Sequence, residues 1–462
     1  MSVNDRIATQ IKRYTKITPS NSSGNGVFSF SQGNPVIRFS IAEQDAYLLA
    51  PETRLQFNFK AFPGSANNNT RTGFIANGAT ANIDPKIGVQ SIIQTLTISS
   101  RRYATSICEQ IHNYNQLVSV AHPALTSTRD LATQKNHEQL CVGQGILNRG
   151  QQGQAQDKLQ ADTLNMKTLQ RKYLQSPSAI GNIGHDCSIQ LYAGMFQSEN
   201  LDLRLMGGLE IEITLSPDAN VFFNADSIHN YSISNVILNA PLLYKSANEM
   251  AQSAQPASID FLTWSSLYNV AQSTSATITN KVGLRGCLSM IQKFVPIAYL
   301  NNSGRQAQVP AGDTYGANAF AGWNVGVRRL TFHRNGQRYP NEYQIITERG
   351  NLAPALEVNN EKNPQVLINS LSAFENFKDV KHTHLTSQNL SQRQENNYFL
   401  GVSFDQISGQ GIDLSGGTIS TELEATLQDP ADDQPKPFGV FSFFLNKNTL
   451  VIQPNQRIQS IE

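Results

Sequence analysis

From residue 36 onward the chain alternates apolar and polar residues in short bursts. "VIRFSI" (36–41), "RLQFNFKAF" (54–62) and "IIQTLTIS" (92–99) repeat with period two and carry β-branched and aromatic side chains, which predicts half-buried strands. Gly, Asn and Pro punctuate the gaps, as in an antiparallel β domain. The period then changes: Ile107, Ile111, Tyr114 and Val118 recur at three- and four-residue spacing and predict an amphipathic helix ended near His122-Pro123. A second helix is predicted between about 154 and 173, with Leu159, Met166, Leu169 and Tyr173 along one side, inside a Gln- and Gly-rich insertion over 140–185.

Strands resume at "CSIQLYAGMF" (187–196), "LEIEITL" (209–215) and "SISNVILNAPLLY" (232–244). Residues 246–258, polar with few apolar anchors and one Pro, read as a linker. The second half then repeats the course of the first. Strands "IDFLTWSSLYNV" (259–270) and "CLSMIQKFVPIAYL" (287–300) precede a Gly- and Ala-rich loop over 301–322 and the strand-bearing "VGVRRLTFHRNGQRY" (325–339). A helix follows, with Asn363 as cap, Pro364 in the first turn, and Leu367, Leu371 and Phe374 on one face.

Both halves enter a late strand through a glycine pair, Gly207-Gly208 and Gly416-Gly417. Such pairs permit a tight bend or bulge. Phe196 matches Phe404, and Leu238-Asn239 matches Leu445-Asn446, at nearly the same offset. These anchors predict a duplicated, all-β architecture: two consecutive jelly-roll β-sandwich domains, with short helices in loop excursions. The expected division is an N-terminal arm over 1–34, a first jelly roll over 35–245, the linker over 246–258 and a second jelly roll over 259–462.

The 462-residue length also favours two domains. With 36 basic against 35 acidic residues there is no global field to steer a polyanion, so any nucleic-acid contact is local. The arm is where that contact is expected. Arg6, Lys12, Arg13 and Lys16 stand there against Asp5, as candidate inner-surface or subunit contacts beside the plainer reading of a solvated tail. Cys108, Cys141, Cys187 and Cys287 lie far apart without a CxxC pair and read as scattered thiols. The first twenty residues lack the apolar core of a signal peptide, and no apolar run is long enough for transmembrane insertion, so folding in the cytosol is expected.

Candidate chemistry is sparse. The phosphate-loop, zinc-protease, nucleophile-elbow and dinucleotide motifs are all missing, so no catalytic residue, cofactor or metal is assigned. His382 and His384, with His333, are the most suggestive metal ligands, but no carboxylate or cysteine accompanies them at ligand spacing. Glu210 with Glu212, and Glu422 with Glu424, have the form of paired carboxylates but alternate with apolar residues like the wet face of a strand. Arg101-Arg102 and Arg328-Arg329, with Arg334 and Arg338, recur at comparable places in the halves, favouring a structural or subunit-contact role. Phe57, Phe59, Phe62, Phe441, Phe443 and Phe444 fit core packing better than base stacking.

"NPVIRFSIAEQDAYLLAPETRLQFNFKAF" (34–62), "QSIIQTLTISSRRYATSICEQIHNYNQLVSVAH" (90–122) and the two Gly-Gly strands together carry a resemblance. The chain resembles double jelly-roll major capsid proteins, in particular those of polinton-like viruses and virophages, over nearly its whole length from residue 34. The resemblance implies a non-enzymatic structural protein of the virion capsid, assembled in the host cytoplasm or nucleus. Its trimers would form pseudo-hexameric capsomers of an icosahedral shell around DNA. Implied partners are neighbouring capsomers, a penton protein and minor or cement proteins, with the arm inside making weak, non-specific contact with packaged DNA. The loops over 140–185 and 301–322 would form the capsomer tops. A two-domain carbohydrate-binding or carbohydrate-active β-sandwich protein is the rival reading, and a monomeric β-sandwich adaptor is another.

Overall fold

The structure, a computed structural model, describes residues 12–22, 26–63, 87–101, 107–126, 185–197, 200–221, 229–245, 257–272, 275–300, 319–320, 322, 327–339, 344–346, 364–378, 380, 383, 385, 398–404, 409, 411–425, 437–452 and 459–461. Its β-strands form four antiparallel sheets, two in each half of the chain. In the first half Lys12–Ile17, His229–Tyr244, Arg54–Pro63 and His185–Gln190 lie side by side in one sheet. Val36–Ile41, Leu209–Leu215, Ile93–Ser100 and Ile107–His112 form the other.

The second half repeats the plan. Ala257–Ala271, Phe438–Ile452, Cys287–Pro296 and Phe399–Ser403 make one sheet. Ser275–Asn280, Ile419–Ala425 and Val327–Arg334 make the other, with Gln337–Arg338 and Gln344–Ile346 on its edge. With the small strands Ala46–Leu48, Leu201–Asp202, Gln344–Ile346 and Gln459–Ile461 set aside, the first, eighth, third and sixth strands of each half share one sheet. The second, seventh, fourth and fifth share its partner. This is the jelly roll, twice over. Phe57, Phe59, Phe441, Phe443 and Phe444 are buried, as expected for core aromatics.

Three expectations change. The segment read as a free arm contains the first strand of the first sandwich, since Lys12–Ile17 pairs residue by residue with Leu238–Leu243. Phe28, further along it, is buried and bridges to Ile233. Pairing with a strand more than 200 residues away supplies the order that local sequence lacks. Likewise Ala257 and Ser258, placed in the linker, begin a strand paired along its whole length with Phe438–Ile452.

The third change is the helix expected from Ile107. Ile107–His112 is a strand, and the helix, α1, spans Tyr114–Leu125 with every residue buried. Asn113 turns the chain between them in the left-handed region (φ 53°), which Asn tolerates better than most residues. Pro123 does not end α1 but sits inside its last turn, and Thr126 closes it by donating its N–H to the His122 carbonyl. The second helix, α2, is Pro364–Ser372, with Leu371 buried and Phe374 buried just past its end. Asn363, the helix expected over 154–173 and the loop over 140–184 lie outside the described residues.

Candidate functional site

The two sandwiches meet along a buried seam. Tyr268, Phe441, Lys293 and Phe399 form one cross-strand row on the outward face of the second half's first sheet. Against this face lies α1 of the first half. Lys293, 1% exposed, donates to Gln116 Oε1 (2.7 Å), Ser119 Oγ (2.5 Å) and the Phe320 carbonyl (2.7 Å), while Gln116 Nε2 donates to the Ala319 carbonyl (2.8 Å). A buried ammonium held by three oxygens fixes position, because losing any one strands a costly charge.

A carboxylate sits further along the seam. Glu109 Oε1 accepts from the backbone N–H groups of Gly194 and Trp264, both at 2.9 Å, and Oε2 accepts from that of Met195 at 3.0 Å. Burial raises its pKa to about 7, against the pull of the three N–H donors, which favour the ionised form. Ser266 Oγ donates to the His112 carbonyl at 2.6 Å. Gly194 permits the closest approach, since a Cβ there would stand 2.3 Å from the Leu262 carbonyl oxygen.

Among the described residues, the outward face of the corresponding sheet in the first half carries no covering element. Lys16, Asn239, Arg54 and Gln190 make one row, Gln56 and Ser188 face each other beside it, and Asn58 donates to Asp186 at 2.9 Å. Arg54, Gln56, Asn58 and Lys60 are half-buried, and Tyr14, outward on the first strand, is 66% exposed.

The residues singled out from sequence fall mostly elsewhere. Lys12 pairs with Glu52 at 2.7 Å, Arg13 and Lys16 are exposed, and Arg6 lies outside the described residues. Gly207 and Gly208 cap the short helix Leu203–Met206 with positive φ (63° and 94°), their N–H groups returning to Arg204 and Leu203. A Cβ on Gly208 would lie 2.3 Å from the Ile41 carbonyl oxygen. The second pair differs: Gly416 has neither a positive φ nor any atom within 4 Å of a would-be Cβ, and the nearest atoms to a would-be Cβ on Gly417 belong to the Asn335 side chain. Gly416 is therefore no obligatory bend, because its turn asks for no left-handed residue.

Glu210 is exposed, Glu212 pairs with Arg38 at 2.7 Å, and Glu422 faces His333 at 3.2 Å, so these carboxylates belong to strand surfaces. His382 and His384 lie outside the described residues, and among the described residues no three His, Cys, Asp or Glu side chains gather as metal ligands. Sequence reasoning missed Glu109, Gln116 and Lys293. Its one available signal was a lysine within the apolar run "CLSMIQKFVP".

No known protein family matches the sequence, and no curated protein does. Solved structures do match. The chain superimposes on a chain of the Sputnik virophage structure with TM-score 0.59 and 11% identity, over 97% of this chain and 88% of that one. The PBCV-1 virus capsid matches with TM-score 0.54 and 10% identity, over 98% and 97%. The Faustovirus major capsid protein matches with TM-score 0.51 and 9% identity, over 96% and 91%. The fold is the double jelly roll of viral major capsid proteins. In this double jelly roll, one outward sheet face is sealed by the chain itself, and among the described residues its counterpart has no such cover.

Proposed function

We propose that the chain is a structural, non-enzymatic major capsid protein, three copies of which close into a pseudo-hexameric capsomer of an icosahedral shell around DNA. The observation that carries this reading is the uneven treatment of equivalent faces. The first half covers the outward sheet face of the second within one chain. The same face of the first half is left for a neighbour's second half, which is a head-to-tail contact that forms a ring when the rotation closes. Two halves per chain and three chains give six similar positions.

On this reading the exposed Arg13, Tyr14 and Lys16 lie at the contact between subunits, and Arg6 remains a candidate for weak contact with packaged DNA. Neighbouring capsomers, a penton protein and minor or cement proteins are the further partners, and the virion capsid is the location. Polar, half-buried faces suit this role, because contacts among capsomers sum through multivalency. The test is native mass with particle images of the same sample. A particle of three 50.9 kDa chains with a six-sided outline is expected; a single-chain particle across salt and concentration would refute the reading.

A further inference from the structure

A cleft of about 210 Å³ opens at one end of the seam. It lies where Ile107–His112 ends and α1 begins, and where the strand Cys287–Pro296 has given way to Leu300. Five amide side chains line it: Gln94, Asn113, Asn115, Gln116 and Asn220. The aromatic wall is Tyr268 against Phe441, ring centroids 4.9 Å apart and tilted by 48°, with Tyr268 44% exposed. Among the described residues the remaining lining is apolar or backbone, and none of them brings a charged side chain to it.

We infer that this cleft binds a single neutral saccharide ring. Gln94, Asn113 and Asn220 carry the donors and acceptors that neighbouring sugar hydroxyls complement, while Asn115 is tied to Ser216 Oγ (3.0 Å) and to the Gln116 N–H (2.9 Å). The amides also bond one another loosely, Gln94 Nε2 to Asn113 Oδ1 at 3.2 Å and Asn115 Nδ2 to Gln94 Oε1 at 3.4 Å. Bonds that long exchange readily for shorter ones to a ligand hydroxyl. Gln116 is held by Lys293 and Ala319, which leaves the floor fixed while the rim adapts. The half-exposed Tyr268 ring supplies the flat apolar face against which sugar C–H groups stack. The volume is below the roughly 300–1,000 Å³ of pockets for drug-sized ligands, so it takes one ring rather than an extended chain. The described lining is uncharged, which favours a neutral ligand over phosphates and acidic sugars.

This site adds a binding role to the shell reading and does not depend on assembly. The experiment is saturation-transfer NMR on the full chain with methyl glycosides of neutral hexoses and N-acetylhexosamines, and with adenosine as an aromatic competitor. Transfer to at least one neutral glycoside is expected, with a dissociation constant of about 1 mM, falling at least fivefold in Tyr268→Ala and in Gln94→Leu. Phe30→Ala, which alters an exposed aromatic elsewhere, is expected to leave it unchanged. Absence of transfer from every glycoside, transfer indifferent to Tyr268→Ala, or transfer confined to adenosine would overturn the assignment. Native mass of Tyr268→Ala, measured alongside, separates a failure of this site from a failure of the capsomer reading.

Discussion

Arg54–Pro63 and Cys287–Pro296 hold the same place in two copies of one fold, and their surroundings differ. The first alternates, with Leu55, Phe57 and Phe59 buried while Arg54, Gln56, Asn58 and Lys60 are half-buried. The second is buried at every position. Period-two alternation is what a strand shows when one face is wet, and a continuous apolar run is what it shows when both are covered. The difference teaches that the second sandwich is finished by the first, whereas among the described residues nothing does the same for the first.

The heaviest blow to that comparison is removal of the seam carboxylate. Glu109→Ala orphans three buried N–H groups, from Gly194, Met195 and Trp264, and should lower unfolding free energy by at least ~3 kcal/mol. Denaturant melts measure this; a loss under ~1 kcal/mol would mean the halves are not joined there. The same group sets a pH dependence. Its folded pKa, about 7, is raised above the ordinary 4.5, so its contribution to stability is complete below 4.5 and is lost as pH rises through about 7. The full swing is about 3 kcal/mol. Asp218, raised to about 6 by burial, acts with the same sign. The wild-type melting temperature should therefore fall more steeply than that of Glu109→Gln between about pH 5 and 8, and parallel slopes would remove Glu109 as the cause.

A smaller effect separates the two glycine pairs. Gly208→Ala meets both a positive φ and the Ile41 carbonyl and should cost ~3 kcal/mol, whereas Gly416→Ala should stay within ~0.5 kcal/mol. Equal losses in thermal melts would restore the symmetry that the sequence advertises. The smallest effect on stability comes from the bare face. Arg54→Glu with Gln56→Glu should change single-chain stability by no more than ~0.5 kcal/mol yet shift the proposed trimer toward monomer in sedimentation. An unchanged trimer would place the subunit contact elsewhere.

The strands and their two-fold grouping were legible because alternation is a local signal. The segment over 287–300 reads as a strand, without a reading of which faces it buries. What was illegible depended on distant partners. Glu109 is buried and Ile107 is 52% exposed, an inversion of ordinary preference that only the three N–H donors explain. "KRYTKI" reads as a tail until Leu238–Leu243 is beside it. The match of Leu238 with Leu445 also misleads. Leu238 shares a row with Ile17 and Leu55, on the face turned into its sandwich, whereas Leu445 shares one with Trp264 and Ser289, on the face turned away. A slip of one residue exchanges the faces of a strand, so a matching pair of letters did not mean a matching pair of positions.

Every sheet of the first sandwich is built from strands that end by Tyr244, and every sheet of the second from strands that begin at Ala257. Among the described strands nothing is swapped between them, so the ribosome delivers the halves as successive, separately closable units. Glu109 and the Gly194-Met195 amides are made before Trp264 is. The cradle for the second sandwich is thus complete while that sandwich is still being translated, and the last backbone amide to reach Glu109 reports that the nascent chain has docked its second half onto its first.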